Sequence, residues 1–174
     1  MPVRPGLCHL ATGLQRCAKI DFAMGMSSGV VILMLVYSPT VIFTGAGEEW
    51  FSAGLMNPAI RATMTKDEVI AYVVDGNRTF DALEALPQIT IAAINGRIVA
   101  GASELALACD ARILVDGGSF GFPEVQLGLH PGLGGTFRLP TLIDPLEAMT
   151  LMLSGKTAHT SKARKLGIAD EVTE

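Results

Sequence analysis

The spacing of apolar positions changes several times along the chain, and each change marks a new element. Residues 40–44 form an unbroken run rich in β-branched side chains, closed by Gly45-Ala46-Gly47; this is the pattern of a buried strand entering a turn. From 58 to 78 the spacing becomes helical, with Ile60, Met64, Val69, Tyr72 and Val73 on one side. A second short helix over 79–86 is stopped by Pro87. Residues 89–94 return to a strand pattern and end at Asn95-Gly96. A helix over about 102–109, a strand over 112–115 and a helix over 145–153 follow, the last with Pro at its start and Gly155 at its end. A final helix over 161–166 is capped by Gly167. Strands alternating with helices predict an α/β layered fold with largely parallel strands.

One stretch fits this scheme poorly. Residues 22–37 are apolar and nearly uncharged, preceded by Arg16 and Lys19. The run is short for a membrane span and is broken by Gly25, Ser27, Ser28 and Gly29. No small-residue cleavage pattern follows, because Ser38-Pro39 leads directly into the next strand. A buried strand or helix is therefore expected, and residues 1–39 are treated as an atypical N-terminal segment ahead of a core over 40–174.

Composition adds two constraints. Hydrophobic residues make up 49% of the 174 positions and charged residues 17%, and mean hydropathy is +0.42. So apolar a surface predicts contact with other subunits, hence a homo-oligomer. The net charge of −4 and the lack of a basic cluster argue against nucleic acid. Cys8, Cys17 and Cys109 lack metal-ligand spacing and cannot all pair, which favours a reducing, cytoplasmic setting.

The candidate chemistry lies in two glutamates. Glu104 falls at the start of the apolar helix, in Gly101-Ala102-Ser103-Glu104-Leu105-Ala106. Glu124 lies in a Gly/Pro-punctuated loop, Phe120-Gly121-Phe122-Pro123-Glu124, just past a short strand. Two carboxylates converging on one desolvated cavity push their pKa values apart, so that one can hold a proton while the other accepts one. Gly101 precedes Glu104 at a helix start, where an N–H is free to meet a developing negative charge. Ser52 and Ser103 could be imagined as nucleophiles, but neither sits in a Gly-x-Ser-x-Gly elbow. Gly132-Leu133-Gly134-Gly135 lacks the Lys-Ser/Thr ending of a phosphate loop and is expected to close the floor of a pocket. His130 is expected to shape that loop, and Asp110-Ala111-Arg112 to form a structural ion pair or turn.

From residue 91 to 174 the chain resembles the crotonase (enoyl-CoA hydratase/isomerase) superfamily. The resemblance rests on Ile94-Asn95-Gly96, on the run Gly101 through Asp110, on Phe122-Pro123-Glu124-Val125-Gln126-Leu127-Gly128, on His130-Pro131-Gly132-Leu133-Gly134-Gly135-Thr136 and on Leu166 through Val172. Upstream, the run Val41 to Gly47 and Phe51-Ser52-Ala53-Gly54 match the family's earlier signature. Leu83-Glu84-Ala85-Leu86-Pro87 and the His130 loop are most similar to the hydratase portion of fatty-acid-oxidation multifunctional enzymes. The resemblance implies a spiral of ββα units with C-terminal helices that build trimers or hexamers, and here that helical region is expected to be truncated. It also implies an acyl-CoA substrate, CoA being part of the substrate and no other cofactor or metal being required.

By the same resemblance, Glu104 and Glu124 are the catalytic carboxylates. Leu55 and Gly101 supply the oxyanion-hole N–H groups, and Ala53, Gly54, Pro131 and Gly132 line the substrate. Two departures stand out. The first forty residues do not read as the family's opening strands and helix, and Ala53-Gly54-Leu55-Met56 replaces the family's Ala-Gly-Ala-Asp. The expected activity is enoyl-CoA hydration. Δ3,Δ2-enoyl-CoA isomerisation, thioester or ester hydrolysis and a non-catalytic scaffold stand as alternatives.

Overall fold

The computed structural model describes residues 18–20, 30–34, 39–56 and 58–174. Two sheets and a set of helices are built by a recurring step. A strand enters the larger sheet, the next crosses to the smaller one, and a helix returns. β1 (Ala18–Ile20), β2 (Val30–Met34) and β3 (Thr40–Gly45) open the larger sheet, and β4 (Trp50–Ser52) begins the smaller. After α1 (Pro58–Arg61) and α2 (Lys66–Glu84), β5 (Ile89–Ile94) and β6 (Arg97–Val99) repeat the step and lead into α3 (Gly101–Leu107). β7 (Ala111–Val115) and β8 (Ser119–Gly121) repeat it again, ending in a short 3-10 helix, Pro123–Leu127. α4 (Gly135–Leu142), α5 (Pro145–Ser154), β9 (Thr157–His159), α6 (Thr160–Leu166) and β10 (Glu171–Thr173) complete the chain.

The larger sheet has the order β1-β2-β3-β5-β7-β10 and the smaller β4-β6-β8-β9. β3, β5, β7 and β10 are mutually parallel, with Ile42 opposite Ile91 and Ala93 opposite Ile113. β4, β6 and β8 are parallel too, whereas β9 runs antiparallel to β8. The expected parallel α/β layering is thus present. β2 lies within the apolar run 22–37 and pairs antiparallel with β3, and β1 pairs with β2; the rest of that run lies outside the described residues. Cys8 and Cys17 lie outside them as well. Among the described residues no helix is long and apolar enough to cross a membrane.

Two glycines allow the sheets to cross. A Cβ on Gly45 would lie 2.4 Å from the Trp50 carbonyl oxygen, and one on Gly96 would lie 2.3 Å from that of Glu49. Asn95 locks this corner: its Oδ1 accepts the Gly45 N–H at 2.8 Å, and its Nδ2 donates to the carbonyls of Gly45 and Gly47.

The expected pair of helices over 58–78 and 79–86 is not what forms. A short α1 is followed by a single α2, which runs through residues 78 and 79 without a break. The reason is a capping box. Thr65 Oγ1 accepts the Glu68 N–H, Glu68 Oε2 accepts the Thr65 N–H at 2.7 Å, and the helix starts cleanly at Lys66.

Asp110 and Arg112 are structural, as expected, but instead of pairing with each other each ties a different part of the frame. Asp110 Oδ2 accepts the Thr90 N–H and hydroxyl, while Arg112 is paired with Asp170 at 2.8 Å and donates to the Cys109 and Ile168 carbonyls.

Candidate active site

All seven residues of α3 are buried, and Ser103 and Glu104 are its only polar side chains. A carboxylate in such a helix needs partners from elsewhere. They come from the loop before α4: Glu104 Oε1 accepts the Leu133 N–H at 2.7 Å and the Gly135 N–H at 2.8 Å. The loop is shaped to come this close. A Cβ on Gly135 would press on Glu104 Cγ and Oε1 at 3.1 Å, and Gly134 turns at φ +104° with the Arg138 guanidinium packed against it. Arg138, itself buried, fixes the loop further. It donates to the Leu133 carbonyl at 3.0 Å and pairs with Asp81 and Glu84 of α2, each at 2.9 Å. The Gly132–Gly135 stretch, expected to be only a pocket floor, is therefore the mount for Glu104.

Glu124 stands on the 3-10 helix Pro123–Leu127 rather than in the loop expected for it. Pro123 at the first position favours the tight turn, and Gly128 ends it in the left-handed region. The glutamate is 8% exposed, and its Oε2 is buried without a hydrogen-bond partner among the described residues. Burial pushes its carboxyl up to about 7; its own backbone N–H opposes that rise, the Glu104 charge adds to it, and His130 opposes it. Glu104, 1% exposed, is also raised by burial, against the pull of the Gly135 and Leu133 N–H groups and of Arg138 and His130 nearby. The two carboxylates thus sense each other and share His130 as a neighbour.

The segments that carry the two candidate N–H groups, Leu55 and Gly101, pack together at the start of α3. β6 delivers the chain to Ala100 at φ 57°, ψ −135°, the one non-glycine residue with positive φ among the described residues. Such a conformation costs about 1–3 kcal/mol and persists only where its surroundings enforce it. Here the Ala100 N–H is tied to the Gly121 carbonyl at 3.0 Å, and the Ala100 carbonyl accepts the Glu104 N–H. The turn brings Gly101 against Leu55, whose Cβ and Cγ lie 3.2 Å from where a Cβ on Gly101 would stand. Among the described residues neither the Leu55 nor the Gly101 N–H finds an acceptor.

The remaining candidates fall close by, with differing roles. Gly54 turns at φ +118° and packs beside Ala100, while Ala53 is exposed. Pro131 is buried, and the Gly132 carbonyl accepts from Asn77 of α2 at 2.8 Å. His130 is exposed, with Nδ1 3.0 Å from the Pro131 carbonyl oxygen. The serines are structural: Ser103 Oγ donates to the Gly121 carbonyl, and Ser52 Oγ bonds to the N–H and carbonyl of Gly54. Cys109 is a free, buried thiol pushed up to about 12 by its burial. Among the described residues no group of three or more His, Cys, Asp or Glu is placed to hold a metal ion.

Paired strands that cross between two sheets define a crotonase fold, and its candidate site gathers two buried carboxylates and two N–H groups without an acceptor among the described residues. The chain belongs to the enoyl-CoA hydratase/isomerase family, whose model matches residues 38–174. Its similarity to solved structures includes the crystal structure of an enoyl-CoA hydratase from Bacillus anthracis, at 32% identity and a TM-score of 0.77. That match covers 91% of this chain and 70% of the solved one. YngF of Bacillus subtilis, which carries a provisional enoyl-CoA hydratase/isomerase name, is 42% identical over 133 residues, 76% of this chain and 51% of that protein. The fatty acid oxidation complex subunit alpha of Vibrio campbellii is 45% identical over 122 residues, 69% of this chain and 17% of that subunit. The chain therefore spans about half of one curated relative and about a sixth of the other.

Proposed function

We propose that this chain adds water across the double bond of a 2-enoyl-CoA to give a 3-hydroxyacyl-CoA. The observation that carries the reading is the unlike state of two neighbouring carboxylates. Glu104 is anchored by two N–H groups, whereas Glu124 is poised near neutrality with one buried oxygen unpartnered. A general acid/base works best with its pKa near the operating pH.

In the proposed reaction the two glutamates hold a water between them. As one takes a water proton, the oxygen bonds to C3 and the C2–C3 π pair moves onto the thioester oxygen. The Leu55 and Gly101 N–H groups bind that enolate oxygen; one such donor contributes on the order of 3 kcal/mol to the transition state. The pair then returns to C2, which takes a proton from the other carboxyl. Water is added, nothing is oxidised or reduced, and the reaction calls for no redox cofactor or metal.

One observation favours a second reading. Glu104 Oε1 is engaged by two backbone donors, which suits an anchoring role and would leave Glu124 alone to shuttle a proton, as a Δ3,Δ2-enoyl-CoA isomerase requires. Supplying a 2-enoyl-CoA and a 3-enoyl-CoA separately distinguishes the two. Hydration gains one water from the first, whereas isomerisation converts the second into the first without change of mass. Failure to turn over either thioester would overturn both readings.

A further inference from the structure

Leu55 stands in a connection with no regular structure, between β4 and α1, yet a donor N–H must be held to a fraction of an ångström to be useful. On its N-terminal side the backbone is fixed by the Ser52 hydroxyl, which accepts the Gly54 N–H at 3.2 Å. On its C-terminal side one group does the equivalent work: the Tyr72 hydroxyl donates to the Leu55 carbonyl at 3.0 Å. With both flanking peptides held, the Gly54–Leu55 peptide carrying the donor has little freedom to rotate.

Tyr72 is well placed to act as a fixed reference, because α2 is also tied to the loop before α4. Asn77, five residues on, donates to the Gly132 carbonyl at 2.8 Å, and Gly76 packs against Leu133 so closely that a Cβ there would lie 2.6 Å from Leu133 Cδ2. Asp81 and Glu84 hold Arg138, which holds Leu133. One helix thereby touches the loop that mounts Glu104 and the loop that carries Leu55. Burial raises the Tyr72 hydroxyl above its ordinary range and the Glu104 charge raises it further, so it stays a donor throughout the neutral range and lies within the field of the site.

We infer that Tyr72 is a positioning residue for the oxyanion hole, fixing the Leu55 N–H through the Leu55 carbonyl. This rests on the oxyanion role proposed above for Leu55. The test is Tyr72→Phe, which keeps the ring and removes the hydroxyl; Tyr72→Met, of similar length and also without a donor, serves if the first variant does not fold. Two quantities are read: turnover of crotonyl-CoA, and the absorption of a bound cinnamoyl-CoA bearing an electron-donating ring substituent. Its band moves to the red as the thioester carbonyl is polarised.

The expected result is a fall in kcat of about tenfold or more with KM changed less than about threefold, since the interaction matters most in the transition state. The red shift should shrink in parallel, with a nearly unchanged melting midpoint. A purely structural tyrosine would lower the melting midpoint without moving the red shift of the folded fraction, and that result overturns the inference. An unchanged kcat and red shift also overturn it, while leaving the hydratase reading intact. Absence of any red shift in the unsubstituted protein overturns the oxyanion hole itself.

Discussion

Removing the charge of Glu124 is expected to make the protein more stable while disabling it, and the size of the effect follows from its surroundings. The Glu124 carboxyl is pushed from an ordinary 4.5 up to about 7, chiefly by burial. Between those values the folded protein holds a proton that the unfolded chain has released. This contribution to stability is therefore fully present below about 4.5 and is lost as pH rises through 7. At about 1.4 kcal/mol per unit the shift corresponds to roughly 3 kcal/mol in a dry site, and residual water access reduces that to about 2 kcal/mol. Glu124→Gln has no such charge to bury. At pH 8 it should unfold about 4–8 °C above the unsubstituted protein, whereas at pH 4.5 the two should nearly coincide. Thermal unfolding followed by circular dichroism at both pH values checks this. An equal difference at the two pH values, or a less stable variant at pH 8, would refute the reasoning that a buried carboxylate with one unpartnered oxygen is strained by its own charge.

Two further outcomes are expected. Gly101→Ala should slow enoyl-CoA hydration at least tenfold at a stability cost of about 1 kcal/mol, because its Cβ must push Leu55 and Leu133 from 3.2 and 3.3 Å; unchanged kinetics with full stability would remove Gly101 from the site. Self-association is expected from the apolar face of α4, α5 and the 3-10 helix, where Leu127, Phe137, Leu146, Met149 and Leu153 are all more than half exposed; sedimentation showing a stable monomer at micromolar concentration would contradict it.

The buried parallel strands were legible in the sequence because a strand covered on both faces reads as a continuous apolar run, as in 40–44 and 89–94. The smaller sheet was not legible. Its strands are three residues each, too short to carry an alternating pattern, and β8 is Ser119-Phe120-Gly121. α4 was hidden for another reason. It begins with Gly135 and contains Pro140, both of which read as breakers, yet its first turn is held by tertiary contacts of Arg138.

Glu104 and Glu124 stood out as acids in apolar or glycine-rich surroundings, and the structure brings them within each other's electrostatic reach. What holds them was not visible. Leu133 and Gly135 act through backbone N–H groups, which leave no side-chain signature, and Tyr72 sat on the helical face assigned to packing. Arg138 was silent because its partners, Asp81 and Glu84, are more than fifty residues away.

Glu104 and Glu124 are proposed to act together on one water. Turnover of crotonyl-CoA in oxygen-18 water tests it most directly, comparing the unsubstituted protein with Glu104→Gln and Glu124→Gln. Label is expected at C3 of a 3-hydroxybutyryl-CoA product, with a rate at least ~100-fold lower in each variant and both still folded. Hydration at near-unsubstituted rates in both variants, or no label at C3 with the unsubstituted protein, would contradict it.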